Sequence, residues 1–298
     1  MRNFIIFFEE KEGTSPLVRL LDHFDQISMV HQIKNRGWEP FDRHNCGPIQ
    51  TSTLLQCFDL IFDKNPLSFD RLNEIYATQA VAPLESLNKR GSVGFKMRFL
   101  PPNPAAFLWF KLMEPLSKAL GQTGFSRSFE RSIIQKSQAN DLTVFLAARQ
   151  DVFRWALSKY HGDGTGKPGH LQFAIADGNL SRDQIGKIYV DPGRFERIIQ
   201  ACERSHAEKR RLLRTFQAAG VRAYPLLYEE FVLDKVAYFE RLLRQLEIKI
   251  PRSEVEATLG MGSHFKKVHS SEISEFVENH EEITERFGHR YVKWEEPA

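Results

Sequence analysis

Short apolar segments alternate with longer segments of helical periodicity along most of this chain. The short segments, which are apolar or rich in residues that favour strands, lie at 4–8, 26–33, 93–99, 142–148 and 222–228. Their apolar character is continuous rather than alternating, which is typical of strands buried on both faces. Helical periodicity covers 15–24, 67–78, 127–138, 151–160, 193–219 and 233–246. Strands separated by helices require crossover connections, so the pattern predicts an α/β fold with a central parallel sheet flanked by helices on both faces.

Two segments interrupt this alternation. Residues 101–110, PPNPAAFLWF, are rich in proline and aromatic side chains, and residues 160–173, YHGDGTGKPGHLQF, are glycine-rich and predict a loop. Open parallel sheets bind ligands beyond the carboxyl ends of their strands. We therefore expect lid or substrate loops around 101–125 and 160–190; the alternative is that they are surface insertions.

The bulk composition indicates a soluble globular protein. The chain has 298 residues, of which 42% are hydrophobic and 27% charged, and its net charge is +3 from 41 basic and 38 acidic side chains. This balance excludes a general nucleic-acid binder, so any anion site should be local. Because no linker divides the chain, we expect a single domain over 1–298.

The cysteines and the amino-terminal segment bear on the cellular compartment. Cys46, Cys57 and Cys202 lack CxxC spacing, which indicates reduced thiols in a cytosolic protein. The first apolar run has five residues, 4–8, too few for a signal peptide or a membrane span. We expect a cytoplasmic protein with no membrane span and no bound metal.

The junction between the first predicted strand and helix carries Lys11, Gly13, Thr14 and Ser15. Amides at a helix start, the positive end of its dipole, a flexible glycine and two hydroxyls make a cradle for an anion, and Lys11 adds a full charge. The alternative is that Thr14 or Ser15 caps the helix and Lys11 is solvated. The Walker pattern GxxxxGKS/T is absent, because here the lysine precedes the glycine.

This segment, KEGTSPLVRLL, resembles the 5′-phosphosulfate loop of sulfotransferases that use 3′-phosphoadenosine 5′-phosphosulfate (PAPS), written K/R-S/T-G-S/T-S/T. Lys11, Gly13, Thr14 and Ser15 match position by position. Glu12 departs from the pattern, and an acidic group there fits a phosphosulfate cradle only if its side chain points away. The resemblance implies a P-loop-like fold, PAPS as co-substrate, PAP as product, and Lys11 at the leaving oxygen.

A second segment, VFLAARQDVFRWALSKY at 144–160, resembles the 3′-phosphate motif of the same family. In that motif an arginine ends a strand and a serine lies on the following helix, and Arg149 and Ser158 occupy these positions. A guanidinium can bind a doubly charged phosphate through two hydrogen bonds. The alternative is an arginine paired with an acidic side chain.

A third segment, KNRGWEPFDR at 34–43, resembles the G-x-E-P/Y-F segment of bacterial carbohydrate sulfotransferases of the trehalose type. The resemblance implies that Glu39 is the catalytic base. His44 is the second candidate for the base, His31 is expected to be structural, and a solvated Glu39 is the alternative.

Two softer similarities lie further along the chain. LLYEEFVLDKVAYFERLLRQLEI at 226–248 is similar to a stretch after a late strand of the family, in which Tyr228 and Glu229 match and are mostly structural. The region 265–283 is similar to a carboxyl-terminal segment that closes over the nucleotide, where Lys266 or Lys267 would reach the 3′-phosphate.

Together these resemblances imply transfer of the sulfuryl group from PAPS to a hydroxyl of a small-molecule or carbohydrate acceptor. Two alternatives stay open. A P-loop-like nucleotide kinase would need a lysine after the glycine loop and an acidic Mg²⁺ ligand. A non-catalytic nucleotide- or carbohydrate-binding protein of sulfotransferase fold is conceivable because of Glu12.

Overall fold

The computed structural model describes residues 1–9, 11–30, 51–63, 68, 70–74, 91–98, 127–164, 186–261 and 272–294. The strands are β1 (Phe4–Phe8), β2 (Ile27–Met29), β3 (Ser92–Arg98), β4 (Thr143–Ala148) and β5 (Arg222–Leu227). The helices are α1 (Thr14–Leu21), α2 (Thr51–Phe62), α3 (Arg127–Ala139), α4 (Val152–Gly164), α5 (Pro192–Ala218), α6 (Tyr228–Leu233), α7 (Lys235–Gln245), α8 (Arg252–Met261) and α9 (His280–Phe287). A short 3₁₀ helix spans Ile273–Glu275.

The described strands form one parallel sheet in the order β2–β3–β1–β4–β5. In the centre, β1 pairs with β3 on one side and with β4 on the other, in the registers Phe4–Gly94 and Phe4–Thr143. Because all the pairings are parallel, the carboxyl ends of β1, β3 and β4 meet at one edge of the sheet. The described segments that follow β1 and β4 are therefore brought together, although they lie far apart in the sequence.

Both faces of the sheet are buried, and the side chains of β1 show this most clearly. Ile5 and Phe7 point into a cluster that contains buried side chains of α2, α3 and α5. Phe4, Ile6 and Phe8 point into a second cluster, with α1, α7 and α8. Alternate residues of a strand face opposite sides, so a strand that is apolar throughout needs helices on both. The predicted fold class is confirmed.

The predicted strands are each found, but the prediction for 160–173 is wrong in its first part. Residues 160–164 continue α4 instead of starting a loop. The Asp151 carboxylate accepts the Arg154 N–H at 2.8 Å at the start of this helix. Buried side chains of α4, such as Trp155 and Tyr160, then join a cluster with α5. Tertiary packing therefore overrides the local turn preference of the HGDG sequence.

Other expectations lie outside the described residues. The expected loop around 101–125, residues 165–185 of the second expected loop, and Cys46 are not among the described residues. The single-domain organisation stays a prediction. Cys57 and Cys202 are buried free thiols, and burial raises the pKa of each to about 12. Among the described residues, none of the helices combines the length and the apolar character needed to cross a membrane.

Candidate functional site

Residues 11–15, called the glycine loop below, join the end of β1 to α1. Lys11 and Gly13 both have left-handed backbone conformations, with φ of 66° and 76°. Gly13 is the residue before the first helical one, and none of the described side chains caps the helix there. Thr14 and Ser15 lie within the first turn, so they do not have the capping position considered above. The start of α1 thus presents its amides and the positive end of its dipole without a capping carboxylate.

Gly13 is required for a second reason, which is the approach of an aromatic ring. A Cβ atom at this position would lie 2.4 Å from Cδ2 of Tyr228, far inside van der Waals contact. Tyr228 is the first residue of α6, directly after β5. The ring therefore packs against the backbone of the glycine loop, and only glycine leaves room for it.

Lys96 adds a buried cation to this loop. It lies on β3 opposite Ile6 of β1, and only 2% of it is exposed. Its Nζ donates a hydrogen bond to Ser15 Oγ at 3.2 Å and lies 4.5 Å from the centre of the Phe8 ring. Sequence reasoning missed Lys96 because it stands inside an apolar strand. A signal was present, since a lysine in a strand buried on both faces must have a polar partner or ligand.

The Glu12 side chain points away from the loop's outer surface, into the protein. Its Oε1 accepts a hydrogen bond from Lys209 Nζ at 2.5 Å, and its Oε2 accepts the Glu9 N–H at 2.7 Å. The side chains of Glu12 and Lys209 have no exposed surface. Burial raises the pKa of Glu12 to about 7, assisted by the charge of Glu9 and opposed by Lys209. The carboxylate that seemed out of place in the motif is thus half of a buried ion pair.

Glu9, at the end of β1, forms a second ion pair beside the first. Its Oε2 lies 2.8 Å from Lys159 Nζ, and its Oε1 accepts a hydrogen bond from Ser205 Oγ at 2.5 Å. Burial works against ionisation of Glu9, but the charges of Lys159 and Lys209 and these hydrogen bonds outweigh it and lower the pKa of Glu9 to about 2. Carboxylates and lysines therefore compensate each other on the inner side of the loop.

Arg149 follows the last residue of β4 and reaches the same place as the glycine loop. Its guanidinium carbon lies 4.8 Å from the centre of the Tyr228 ring, the ring that packs on Gly13. Its Nε is buried and has no hydrogen-bond partner in the part of the chain that the structure describes. Among the described residues no carboxylate pairs with Arg149, so the structure provides no acidic partner of the kind considered above. A stacked guanidinium with an unused donor can bind an oxyanion.

Glu229 holds the backbone that follows Arg149. One of its carboxylate oxygens accepts the Gln150 N–H at 2.9 Å, and the other accepts the Asp151 N–H at 3.0 Å. The YE pair that was expected to be structural therefore has a defined task. Tyr228 contacts the guanidinium, and Glu229 binds the two amides after it.

His206 of α5 holds the Arg149 carbonyl. Trp294 Nε1 donates to His206 Nδ1 at 2.9 Å, so Nδ1 is unprotonated and Nε2 donates to Arg149 O, also at 2.9 Å. Burial and the charges of Lys209 and Arg210 lower the pKa of His206 to about 4, against the effect of the hydrogen bond to Arg149. The imidazole is thus neutral near pH 7. It ties the carboxyl-terminal segment to the residue at the end of β4.

Of the other predicted site residues, only Ser158 lies among the described residues. Ser158 is half-buried on α4, and the next residue, Lys159, pairs with Glu9 at the end of β1. This turn of α4 therefore lies beside the start of the glycine loop. Five candidates lie outside the described residues: His31, Glu39, His44, Lys266 and Lys267. In the described part of the chain, no group of three or more His, Cys, Asp or Glu side chains could hold a metal ion.

Comparison with known proteins gives little beyond this geometry. No family model matches the chain, and no curated protein matches it. A solved structure similar to it is the crystal structure of sulfotransferase STF9 from Mycobacterium avium, with 13% sequence identity and a TM-score of 0.40 over 96% of this chain and 75% of that one. A TM-score of 0.40 is too low for this similarity to carry weight, so the inferences below depend on the residues themselves.

Proposed function

We propose that this protein is a sulfotransferase that moves the sulfuryl group of PAPS to a hydroxyl of a small-molecule or carbohydrate acceptor. One observation carries the proposal: the Tyr228 ring contacts both Gly13 and Arg149. The two segments that resemble the 5′-phosphosulfate and 3′-phosphate motifs therefore meet, and they meet at the carboxyl ends of adjacent parallel strands. Ligands of open α/β sheets bind at such places.

The charges around the loop suit a ligand of this kind. Lys11 and the buried Lys96 lie at the glycine loop, and the amides of α1 begin there. We assign the 5′-phosphosulfate to this end, with Thr14 and Ser15 as hydroxyl donors. We assign the 3′-phosphate to Arg149, whose Nε has no partner among the described residues, and to Ser158.

The proposed reaction is an in-line transfer. The acceptor oxygen forms a bond to sulfur while the bond between sulfur and the 5′-phosphate oxygen breaks, and the electron pair of that bond leaves with the phosphate to give PAP. Lys11 stabilises the charge that develops on the leaving oxygen. The acceptor's proton passes to a general base, for which Glu39 is our candidate and His44 the alternative. The carbohydrate acceptor follows from the trehalose-type resemblance around Glu39.

Nucleotide selectivity tests the proposal most directly. Calorimetric titration of the full chain should give a much lower Kd for PAP than for adenosine 5′-phosphosulfate or ATP, because neither of those carries a 3′-phosphate. Arg149→Ala should weaken PAP binding about a hundredfold, the equivalent of roughly 3 kcal/mol for a lost charge-assisted contact. Arg252→Ala is the matched control, because Arg252 forms surface ion pairs with Glu240 and Glu256 on α7 and α8.

Each alternative function has its own result in the same experiment. Equal affinity for PAP and adenosine 5′-phosphosulfate would refute the proposal. A preference for ATP with Mg²⁺ would indicate a nucleotide kinase. Tight binding of PAP without turnover of PAPS on a panel of sugars and small alcohols would indicate a non-catalytic binding protein.

A further inference from the structure

We propose that Lys209 is a positioning residue that sets the distance between the glycine loop and Arg149, and hence between the two phosphate sites of the nucleotide. This inference rests on the function proposed above. It concerns a buried side chain of α5 that is assigned to neither phosphate.

Lys209 joins two chain segments just beyond the end of the β1–β4 ladder. The last paired residues of this ladder are Phe7 and Leu146. After them, Glu12 lies on the segment that follows β1, and Ala147 lies on β4. Lys209 Nζ binds both segments, donating to Glu12 Oε1 at 2.5 Å and to Ala147 O at 2.9 Å.

Each of these contacts lies close to one phosphate site. Glu12 directly precedes Gly13 in the glycine loop, and Ala147 lies two residues before Arg149. One ammonium group therefore ties the chain beside the proposed 5′-phosphosulfate site to the chain beside the proposed 3′-phosphate site. The Tyr228 ring contacts the same two segments on a different side, through Gly13 and Arg149.

The surroundings of Lys209 make this tie rigid. The Lys209 side chain has no exposed surface, so water and salt screen its charge little. Its Nζ lies 5.5 Å from the centre of the Trp155 ring. One turn further along α5, Leu212 and Leu213 are buried in the cluster that covers the sheet. The position of the ammonium group is thus set by core packing.

Fixed spacing matters for a ligand with two phosphates and not for a ligand with one. When both sites are held at the right distance, binding of the first phosphate makes binding of the second an intramolecular event. A ligand with a single phosphate uses one site and gains nothing from the spacing. Loss of Lys209 should therefore reduce the advantage of PAP over its two monophosphates.

The test uses the full chain with Lys209→Met, which keeps the length of the side chain and removes its charge. PAP, 5′-AMP and 3′-AMP are titrated by calorimetry below the unfolding transition. We expect the Kd for PAP to rise about tenfold or more, while the Kd values of both monophosphates change by less than about twofold. Lys136→Met is the control, since Lys136 pairs with Asp59 on α2 and should leave all three values unchanged.

A second variant keeps the test decisive if the first does not fold. Glu12→Gln combined with Lys209→Met removes both buried charges and with them the tie. Unchanged PAP affinity in this folded variant would overturn the inference, and so would an equal loss for all three ligands. Wild-type protein that binds PAP no better than the monophosphates would instead refute the proposed function.

Discussion

Replacement of Gly13 by alanine tests the contact that joins the glycine loop to Arg149. The chain contains a matched control, because Gly220, between α5 and β5, has the same φ of 76°. Apart from its chain neighbours, no described residue has an atom within 4 Å of a Cβ atom placed at Gly220, whereas at Gly13 the Cβ atom would lie 2.4 Å from the Tyr228 ring. The two substitutions therefore share the same backbone strain and differ in the steric clash.

The expected magnitudes follow from this difference. A left-handed conformation costs alanine about 1–2 kcal/mol at either position. Alanine also lowers the conformational entropy of the unfolded chain, which offsets roughly 0.4–1 kcal/mol of this cost. Because this gain is the same in both variants, it cancels in the comparison. At Gly13 the ring must also move by about 1 Å to reach ordinary contact, and overpacking of this kind costs about 1–3 kcal/mol. Gly13→Ala should thus destabilise the protein by about 1–3 kcal/mol more than Gly220→Ala.

Urea denaturation followed by circular dichroism measures both free energies of unfolding. PAP titration should show weaker binding only for Gly13→Ala, because displacement of the Tyr228 ring also moves the Arg149 guanidinium. In a Tyr228→Ala background the clash is removed, and Gly13→Ala should then cost no more than Gly220→Ala. Equal destabilisation by the two glycine substitutions in the wild-type background would refute the reasoning.

Three further predictions concern the chemistry and the pH dependence. Lys11→Ala should lower kcat more than it weakens PAP binding, because its contact strengthens as charge develops; a raised KM with unchanged kcat would show that Lys11 only binds. Glu39→Gln should lower kcat about a hundredfold or more with PAP affinity nearly intact, and His44→Ala should do less; the reverse result would make His44 the base. His206 has a folded pKa of about 4, below its usual 6.5. The unfolded state therefore binds more protons between these values, and roughly 3 kcal/mol of stability is lost as the pH falls from 6.5 to 4. His206→Gln should flatten the measured unfolding free energy over this range; an unchanged slope would contradict it.

The sheet could be predicted from the sequence because its strands are locally distinct. Each is a short apolar or β-rich run, and in β1 (Phe4–Phe8) burial on both faces follows from the lack of alternation. The strand, loop and helix around Lys11, Gly13, Thr14 and Ser15 could be predicted for a similar reason, since they follow one another in the sequence. The binding role of these residues stays a prediction. Structure can be predicted from the sequence where the residues that determine it are neighbours in the chain.

The partners across the site could not be predicted, because they depend on contacts between distant residues. Glu12 and Lys209 are separated by 197 positions, and no local pattern indicates that they pair. Tyr228 was identified as structural, but its contact with Gly13 requires the packing of α6 against the glycine loop. Lys96 lies inside a strand that the sequence predicts to be buried, but its partner Ser15 becomes evident only after β3 is placed beside β1.

The motif and the structure predict opposite effects of Glu12→Ser on PAP binding. From the motif alone, serine at this position should improve the loop and tighten PAP binding. In the structure, the Glu12 carboxylate is the buried partner of Lys209, and neither side chain has any exposed surface. Removal of one member of a buried ion pair leaves the other charge uncompensated and costs about 3–5 kcal/mol.

We therefore expect Glu12→Ser to lower the free energy of unfolding by this amount and to weaken PAP binding, as measured by urea denaturation and calorimetry. Addition of Lys209→Met to Glu12→Ser should recover much of the lost stability, because the unpaired ammonium group is then gone. The recovered variant should still bind PAP less tightly than the wild type, since the glycine loop and β4 are no longer tied together. Tighter PAP binding by Glu12→Ser at unchanged stability would mean that the ion pair does not shape the loop.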